Sequence, residues 1–599
     1  MPNRGDLRLT QPVQLEDGVA RQFLPADLFS TPRSLSVSGG TAAFFAVRYT
    51  GPPTGPQAER YGKTPTYWIG KDLARASDEI DFYEGIHRLD RSFTLVHNWA
   101  MDYGGILEAQ CEVGGELEPE PRQLLLLENL RDGKEKLRML DIKLGNVTAV
   151  PGWKGKSLVG TVRNRFVDFV SNSNLKGNRL EGFDNPPFTL RSRMDGPPQA
   201  CFGIDRSKKY KRIMLQRLST VETFYHFSEM ADLCDNKGSH TLMSIEYSEA
   251  VLFDLCVQLS ELCLDASRMP VPQMWIGSSL GICCDAATLP SRRTLECLGV
   301  QGKAPQNLAL LRIFDWGRSE LETMSSYLQL SHEDQEQRML RWSEWQRALV
   351  RIWVSCMTAY YRQFLWNSYE PRPFNGVVRF ELWDADTLDE HDYIGTVSIP
   401  LADTHGRVML PVQGEDLHTL NLFNLITRVA AEGVQFCSGD GAVLEVEVQQ
   451  GILPADSRLD HVWYVIVHNV FGVPSRDLFS ASDPLVLVEV TSDTLHKGPI
   501  GSTQVEWDVQ DAALGARLEF GALKPQCESD IFNRMSQSWG GKVSPDMLEL
   551  VAQAMLDMED PATALDRLEG VSEDFEDFEH HDILEKFLDM TAWQGLCAV

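Results

Sequence analysis

The spacing of apolar residues predicts mixed strands and helices over the first 132 residues. Short apolar runs typical of strands occur at Phe44–Tyr49, Thr66–Lys71 and Leu124–Leu127. Between the last two, Ser77–Ile86 begins with a serine and an acidic first turn, which favours a helix. A lysine-bearing strand, an acidic helix and a buried strand therefore follow one another, and the last strand runs into a polar connector.

An acid and a base stand two residues apart in the stretch Leu137–Gly145. Asp141 and Lys143 precede a glycine turn, and residues i and i+2 of an extended strand project from the same face. We therefore expect both side chains to reach into one cleft, where the carboxylate can orient hydroxyl groups and the ammonium can neutralise phosphate. Acid–base pairs of this spacing are also common on exposed strands, so the surrounding residues decide what the pair means.

Beyond residue 215 the period of the apolar positions changes several times. Core helices are followed by two strands, then by a helical segment rich in Trp and Arg, and then by strands from Val377 to about Phe520. The last segment is predicted to form acidic helices, part of which would be disordered. The predicted helices are Leu215–Phe227, Tyr247–Leu264, Leu321–Trp366, Pro545–Met558 and Ser572–Met590, and the two strands are Trp275–Asp285 and Ala309–Gly317.

Composition narrows the class of protein. At 599 residues the chain is too long for one core, and we expect roughly three or four domains. The twelve cysteines include no C-x-x-C pair, and no run reaches the roughly 18 apolar residues of a membrane span. The first residues lack the apolar stretch of a signal peptide. These features predict a reduced, soluble protein of the cytoplasm without a cysteine-held metal.

Charge is distributed unevenly along the chain. The net charge of −29 argues against nucleic-acid binding. Residues 151–217 nevertheless carry fourteen Lys or Arg against five Asp or Glu, whereas residues 541–599 carry three against fifteen. A basic island that begins just after Asp141 and Lys143 predicts a small polyanionic ligand, although a solvated basic loop would have the same composition.

Several short motifs occur in a fixed order between residues 35 and 330. They are Lys71 with Glu79–Tyr83, Leu127–Leu130, Asp141–Gly145, Gly277–Leu280 and Phe314–Trp316. This order resembles the inositol polyphosphate kinase family, whose signature P-x-x-x-D-x-K-x-G is followed by an S-S-L-L strand and an I-D-F strand. Asn174–Phe183 is similar to a further family segment, L-G-F-R-hydrophobic-x-G-M. The resemblance implies a two-lobed α+β kinase that uses ATP and magnesium.

The resemblance also implies roles at the nucleotide. Lys71 would contact the ATP phosphates, and the backbone at Glu128 and Leu130 would pair with adenine. Asp315 would hold magnesium against the phosphates, because a hard cation prefers oxygen ligands.

Further matching residues would surround the transferred group. Asp141 and Lys143 would stand between nucleotide and inositol, since phosphoryl transfer needs alignment and charge neutralisation. Ser278 and Ser279 would place hydroxyl groups near the magnesium. A substrate with several phosphates needs several cations, and the basic island supplies them. The cations nearest the motif are Lys154, Lys156, Arg163 and Arg165.

The chain departs from the family pattern at four positions. Leu137 replaces the signature proline, and Gly281 replaces the second leucine of S-S-L-L. Phe314 and Trp316 replace the residues that flank the magnesium-binding acid. None of these departures removes a charged group. An active kinase is therefore the first hypothesis, and a non-catalytic kinase fold that serves as a scaffold is the second.

Two segments of the C-terminal half, Val378–Gly395 and Val462–Pro474, combine strand patterns with acidic turns. They resemble the late and early strands of a C2 domain, a β-sandwich that binds lipid with calcium. The reversed order implies either one permuted sandwich, which we favour because the halves complement each other, or two abbreviated ones. Acidic turns without an ion are the alternative to a calcium site. The acids that match calcium ligands are Asp384, Asp386, Asp392, Asp477 and Asp483.

These inferences divide the chain into five parts. Residues 1–132 and 133–330 are predicted to be the N- and C-terminal kinase lobes, 331–372 a helical connector, 373–525 the sandwich and 526–599 an acidic helical tail. The predicted function is the ATP- and magnesium-dependent phosphorylation of a soluble inositol polyphosphate. The sandwich would attach the protein to an anionic membrane or a protein partner, which adds peripheral membrane attachment to the predicted cytoplasmic location.

Overall fold

The structure is a computed structural model. It describes residues 12–14, 20–35, 43–75, 78–147, 177–185, 189–190, 199–200, 215, 218–228, 243–286, 308–365, 376–384, 392–401, 405–413, 441–453, 457–473, 482–491, 499–503, 506, 508–524, 533–534 and 536–537. Within these ranges no helix is both long enough and apolar enough to cross a membrane. The predicted helices of the acidic tail lie outside the described residues.

The chain forms two compact units, each built from several stretches of sequence. The first unit comprises Met1–Asp184, Asp265–Asp285 and Leu310–Ala348, and the second comprises Asn185–Leu264, Ala286–Ala309 and Leu349–Val599.

A nine-stranded sheet forms the N-terminal part of the first unit. Its strands are β1 (Pro12–Gln14), β2 (Ala20–Leu24), β3 (Arg33–Leu35), β4 (Phe44–Val47), β5 (Trp68–Asp72), β6 (Tyr103–Ala109), β7 (Glu112–Val113), β8 (Glu116–Leu117) and β9 (Arg122–Glu128). They lie in the order β1-β2-β6-β9-β5-β4-β3-β7-β8, antiparallel except for β2–β6 and β3–β7. The continuous apolar run Leu124–Leu127 is buried in the middle of this sheet, as the pattern predicted.

Three α-helices accompany this sheet among the residues that the structure describes. They are α1 (Pro56–Tyr61), α2 (Asp78–Ile86) and α3 (Thr94–Trp99). The predicted helix after Lys71 is therefore confirmed as α2, whereas its Ser77 cap lies outside the described residues.

A four-stranded antiparallel sheet carries the predicted acid–base motif. The strands that follow β9 are β10 (Leu137–Leu144), β11 (Asn178–Asp184), β12 (Thr189–Leu190), β13 (Gln199–Ala200), β14 (Ser279–Asp285) and β15 (Leu310–Phe314). The sheet has the order β11-β10-β14-β15, and β12 and β13 pair separately within the second unit. β14 begins four residues later than the predicted strand, because Trp275 packs edge-on against Trp342 and Trp345 instead.

Long helices confirm the helical periodicity of the middle of the chain. The helix Ile245–Ser267 buries Val251, Leu255, Leu259 and Leu262, which recur at intervals of three and four residues. The helices are α4 (Thr220–Ser228), α5 (Ile245–Ser267), α6 (Met324–Tyr327) and α7 (His332–Tyr360), and a π-helical turn, Tyr361–Leu365, follows α7.

The C-terminal strands form two four-stranded antiparallel sheets around one hydrophobic core. The strands are β16 (Val377–Asp384), β17 (Asp392–Pro400), β18 (His405–Pro411), β19 (Val443–Gln450), β20 (Leu459–Phe471), β21 (Pro484–Thr491), β22 (Ile500–Ser502) and β23 (Ala516–Leu523). Their order is β17-β16-β21-β22 in one sheet and β18-β19-β20-β23 in the other. Val378, Phe380 and Leu382 alternate into this core along β16.

Candidate active site

The predicted acid–base pair lies on one face of β10. Leu140, Ile142 and Leu144 are almost fully buried on the other face, so Asp141 and Lys143 share the partly exposed one. The expectation that both side chains project from the same face of the strand is therefore confirmed. The strand ends at a glycine with a φ of +91°, which matches the predicted turn.

The register of the sheet places other residues beside Lys143. Lys143 lies between Arg179 of β11 and Ser279 of β14. Ser279 in turn lies opposite Phe314 of β15. These residues form a row across the sheet, which we call the lysine row.

The neighbouring row of the sheet contains two glycines. Asp141 lies between Gly182 and Gly281, and Gly281 lies opposite Arg312. A Cβ atom on Gly281 would come within 2.7 Å of the Phe314 ring, so a larger residue there requires the ring to move. Two departures from the family pattern therefore fit each other, because the Phe314 ring occupies the room that a side chain at position 281 would need.

Asp315 follows β15 and brings two lysines together. Its φ of +64° is in the left-handed region, which is uncommon for a residue other than glycine and is found often at functional sites. Lys71 Nζ donates to its Oδ1 at 2.8 Å, and Lys143 Nζ donates to its Oδ2. Lysines from both sheets of the first unit thus converge on one carboxylate.

A second carboxylate completes this cluster. Glu79 of α2 accepts a hydrogen bond from Lys71 Nζ at 2.5 Å, and both side chains are buried. Its other oxygen, Oε2, is also buried and has no hydrogen-bond partner among the described residues. The positive charges of Lys71 and Lys143 are thus matched by the negative charges of Asp315 and Glu79. Such pairing is needed because an unpaired charge is costly to remove from water.

The mutual contacts fix the protonation states of the cluster. Burial alone would raise the pKa of Asp315, but Lys143 and Lys71 outweigh it and hold this pKa well below its usual range. Burial alone would lower the pKa of Lys71, yet Asp315 and Glu79 raise it above its ordinary value. Burial raises the pKa of Glu79, Lys71 opposes this rise and Asp315 adds to it. Asp315 is therefore ionised and Lys71 protonated at neutral pH.

The residues after β9 form a braced connector. Asn129 donates its amide to the Tyr67 carbonyl at 2.7 Å, and Asp132 accepts the Thr66 hydroxyl at 2.6 Å. Leu130 is buried, and its amide has no hydrogen-bond partner among the described residues. The connector thus has a fixed course and a backbone donor that a ligand can use.

Glu128, where the connector begins, is held by an arginine. Arg312 Nε and Nη2 donate to the two carboxylate oxygens at 2.6 and 3.1 Å. The Asp102 amide also donates to this carboxylate, at 3.3 Å. The Glu128 side chain is therefore engaged within the protein.

The two predicted serines differ in their surroundings. Ser279 belongs to the lysine row, and its buried Oγ has no hydrogen-bond partner among the described residues. Ser278 instead accepts a hydrogen bond from Trp345 Nε1 at 2.9 Å. The structure thus brings Ser279 to Lys143 and places the Ser278 hydroxyl against a tryptophan.

Aromatic stacking attaches α2 to the end of β15. Trp316, the residue after Asp315, stacks on Phe82 with ring centroids 4.1 Å apart and planes inclined by 10°. Glu79 lies one turn before Phe82 and so shares its face of the helix. The stack therefore helps to hold Glu79 near Lys71.

The sequence alone assigned no role to three charged residues of the site. Glu79 had a readable signal, since it follows Lys71 by eight residues in a predicted helix. Arg179 lies in the segment that resembles the family and pairs with the buried Glu181 at 3.1 Å. Arg312 had no signal in the sequence, because its partner Glu128 lies 184 residues away.

The predicted substrate cations cannot be placed beside these residues. Lys154, Lys156, Arg163 and Arg165 lie outside the described residues. The inositol phosphate site therefore stays a prediction.

In the second unit the structure describes part of the predicted calcium site. Asp384 of β16 and Asp392 of β17 are partners in the register of the two strands, and Asp384 Oδ1 accepts the Asp483 amide at 2.6 Å. In the part of the chain that the structure describes, no group of three or more His, Cys, Asp or Glu is arranged to hold a metal. Asp386 and Asp477 lie outside that part, so calcium binding stays a prediction.

Comparisons with known proteins concern both halves of the chain. Residues 347–417 match the family model of the C2 domain, which spans β16–β18 and the end of α7. A solved structure of the inositol phosphate multikinase Ipk2 from S. cerevisiae, in complex with ADP and Mn²⁺, is 18% identical and covers 48% of this chain and 98% of its own, with a TM-score of 0.29. A second solved structure, from structural studies and protein engineering of inositol phosphate multikinase, is 13% identical. It covers 46% of this chain and 99% of its own, with a TM-score of 0.24. No curated protein matches the chain.

Proposed function

We propose that the first unit binds ATP with magnesium and transfers the γ-phosphoryl group to a hydroxyl of an inositol polyphosphate. The observation that carries this proposal is the convergence of Lys71 and Lys143 on Asp315, which follows β15. Phosphoryl transfer is catalysed mainly by alignment and charge neutralisation, and this cluster supplies two cations and an acid at one point.

The nucleotide base would lie beside the connector. Leu130 and Cys283 belong to a buried apolar cluster on which Met139 and Leu310 pack. The flat face of adenine is suited to the partly exposed side chains of Met139 and Leu310, while the backbone from Glu128 to Leu130 would pair with its polar edge. The Leu130 amide, which has no acceptor among the described residues, supports this placement.

The residues present fit a magnesium ion. Mg²⁺ is usually held by one or two carboxylates together with phosphate oxygens of the substrate. Asp315 is ionised at neutral pH, and Glu79 offers the buried Oε2 atom described above. When bound, the ion would neutralise charge on the phosphoryl group. Asp315 would hold it, and Lys71 and Lys143 would contact phosphate oxygens.

The accepting inositol would lie on the Asp141 side of the site. Asp141 shares the face of Lys143 and would orient the hydroxyl that receives the phosphoryl group. The basic island would bind the phosphates already on the ring, since several weak ion pairs together give a useful affinity. Its proposed contacts are Lys154, Lys156, Arg163 and Arg165.

For the C2 domain we propose attachment to an anionic membrane or a protein partner. The match over residues 347–417 supports this role, and calcium would offset the repulsion among the acids at the end of β16. Sedimentation with vesicles that contain phosphatidylserine, with and without calcium, tests the membrane role. Equal amounts of protein left in the supernatant in the presence and absence of vesicles would exclude it.

Turnover of purified protein tests the kinase. With labelled ATP, magnesium and a panel of inositol phosphates, we expect a more highly phosphorylated product from at least one substrate. Lys143→Ala and Asp315→Ala should each lower kcat by about a hundredfold or more, because each removes a charge that acts on the transferred group. Lys524→Ala, which removes a lysine of the second unit, should leave turnover unchanged.

Two outcomes would contradict the kinase assignment. ATP binding without product from any inositol phosphate would favour the scaffold hypothesis, in which the kinase fold is a binding module. Wild-type turnover in Lys143→Ala and Asp315→Ala would refute the assigned residues.

A further inference from the structure

We propose that Arg312 is a positioning residue that sets the adenine connector at a fixed distance from the metal-binding acid. The proposal rests on the function proposed above. Arg312 lies within β15, three residues before Asp315, and it binds both carboxylate oxygens of Glu128, the last residue of β9. One side chain therefore links the strand that leads to the acid with the strand that leads to the connector.

The geometry of this pair suits a rigid joint. The Arg312 and Glu128 side chains are 22% and 6% exposed, so solvent screens their attraction little. A planar guanidinium that donates two hydrogen bonds to one carboxylate fixes orientation as well as distance. A lysine in this position would supply the charge without the orientation.

A backbone contact reinforces the joint. The Met101 amide donates to the Ile313 carbonyl at 3.4 Å. The next residue, Asp102, accepts the Glu128 amide at 2.9 Å and donates its own amide to the Glu128 carboxylate. Residues 101 and 102 thus connect β15 and β9 at the same place as Arg312.

The joint determines the length that a bound nucleotide must span. In the proposed reaction the base contacts the connector at Glu128 and Leu130 while the phosphates reach Asp315. Without Arg312, the Glu128 carboxylate would stay buried but would have lost its cation. The strands β9 and β15 could then shift relative to each other. The inositol phosphate does not contact the connector, so the change should affect the nucleotide selectively.

Kinetics and binding with separately varied substrates test this role. In Arg312→Gln and in Glu128→Gln, the Kd for ADP by calorimetry and the KM for ATP should rise about tenfold or more, because a charge-assisted bidentate pair is lost. The KM for the inositol phosphate should stay within about twofold. The exchanged pair, Arg312→Glu with Glu128→Arg, should regain at least about half of the lost free energy of ADP binding.

Arg338→Gln is the matched control. Like Arg312, Arg338 is an arginine of the first unit with two carboxylate contacts, from its Nε to Glu322 at 2.7 Å and from its Nη2 to Glu320 at 3.1 Å. Its loss should lower the melting temperature as the loss of Arg312 does, while the Kd for ADP stays within about twofold. If Arg312→Gln fails to fold, Arg312→Lys replaces it, with the same expected change of smaller size.

Each outcome has a distinct meaning. Unchanged ADP affinity in the Arg312 and Glu128 variants would overturn the proposal and leave the kinase intact. Equal rises in KM for both substrates, without recovery in the exchanged pair, would indicate a general structural role and would also overturn it. If the wild-type protein binds no ADP, the proposed function fails together with this inference, and the wild-type measurement alone reveals that.

Discussion

Asp315 combines a left-handed backbone with a carboxylate shared by two lysines. The backbone conformation costs of the order of 1 to 3 kcal/mol at a residue with a side chain, so the surrounding contacts must maintain it. Lys71 and Lys143 do so through one carboxylate oxygen each. The site is therefore preorganised by the same charges that would act on phosphate.

The low pKa of Asp315 predicts how stability depends on pH. A carboxylate with a lowered folded-state pKa stabilises the fold above its unfolded pKa of about 3.9, and this contribution is lost as the pH falls towards the folded value. The difference in free energy of unfolding between wild type and Asp315→Asn should therefore be constant at neutral pH and should shrink below about pH 4. Urea unfolding over a pH series, without added metal, measures it.

Asp254 provides a control, because its contribution to stability should change with pH in the opposite direction. Burial raises the pKa of this carboxyl to about 6, so the folded state binds its proton more tightly than the unfolded state does. Wild type should lose stability relative to Asp254→Asn as the pH rises from about 4 to about 6. A difference for Asp315→Asn that grows as the pH falls would contradict the assigned pKa.

The fit of Gly281 against Phe314 predicts a sharp steric limit. In Gly281→Ala the new Cβ lies 2.7 Å from the ring of Phe314 and 3.4 Å from Leu130, so the ring must move within the proposed base site. We expect a loss of about 1 to 3 kcal/mol in unfolding free energy and weaker ADP binding. When Phe314→Ile is added to Gly281→Ala, part of the unfolding free energy and part of the ADP affinity should return, because the smaller side chain leaves room for the new Cβ.

Gly406→Ala is the matched control for this substitution. A Cβ on Gly406 meets no atom within 4 Å, so stability and ADP binding should both stay at wild-type values. Equal effects of the two glycine substitutions would contradict the steric explanation.

At the scale of elements, α2 and β15 act as a pair because Phe82 stacks on Trp316. Glu79 and Asp315, the two acids of the cluster, are neighbours of these rings in the sequence. The stack therefore couples the position of the helix to the end of the strand.

Removal of the stack should impair turnover as well as stability. Phe82→Ala should cost about 3 to 5 kcal/mol in unfolding free energy and should lower kcat, because Glu79 loses its support near Lys71. Trp316→Phe keeps an aromatic ring against Phe82, so it should retain most of the unfolding free energy and most of kcat. Urea unfolding and steady-state kinetics measure these effects, and wild-type kcat in a folded Phe82→Ala protein would contradict the coupling.

Local patterns predicted the strands β4, β5, β9 and β10 and the helices α2, α5 and α7, whereas the other strands of the nine-stranded sheet and the contacts between distant residues were not predicted. Alternation in β10 correctly placed Asp141 and Lys143 on one face, because burial of every second residue is a local property. Ser278 and Ser279 could not be distinguished, since only the packing of Trp345 decides which hydroxyl faces the site. The Arg312–Glu128 pair depends on the pairing of strands far apart in the sequence.

At the scale of the whole molecule, the second unit joins helices and a β-sandwich. Glu249 of α5 is buried, accepts the Tyr360 hydroxyl at 2.6 Å and lies 3.2 Å from Arg458, which precedes β20. The Arg458 guanidinium also lies over the Phe253 ring, 4.7 Å from its centroid. The sandwich is therefore packed against the helices of its own unit.

This packing predicts cooperative unfolding of helices and sandwich. Arg458→Ala should cost about 3 to 5 kcal/mol, because it leaves the Glu249 carboxylate buried without its cation. Arg407→Ala removes an exposed pair with Glu445 and should cost about 1 kcal/mol or less. Urea unfolding followed by helical and by tryptophan signals measures both, and equal costs for the two variants would contradict the buried role of Arg458.

The most direct test of the kinase assignment is a structure of the protein with magnesium and a non-hydrolysable ATP analogue. We expect the ion at about 2.1 Å from an Asp315 oxygen, as is usual for magnesium. Lys71 and Lys143 should contact phosphate oxygens, and the adenine should bond to the backbone at Leu130. A nucleotide bound elsewhere, or an ion that does not contact Asp315, would contradict the assignment.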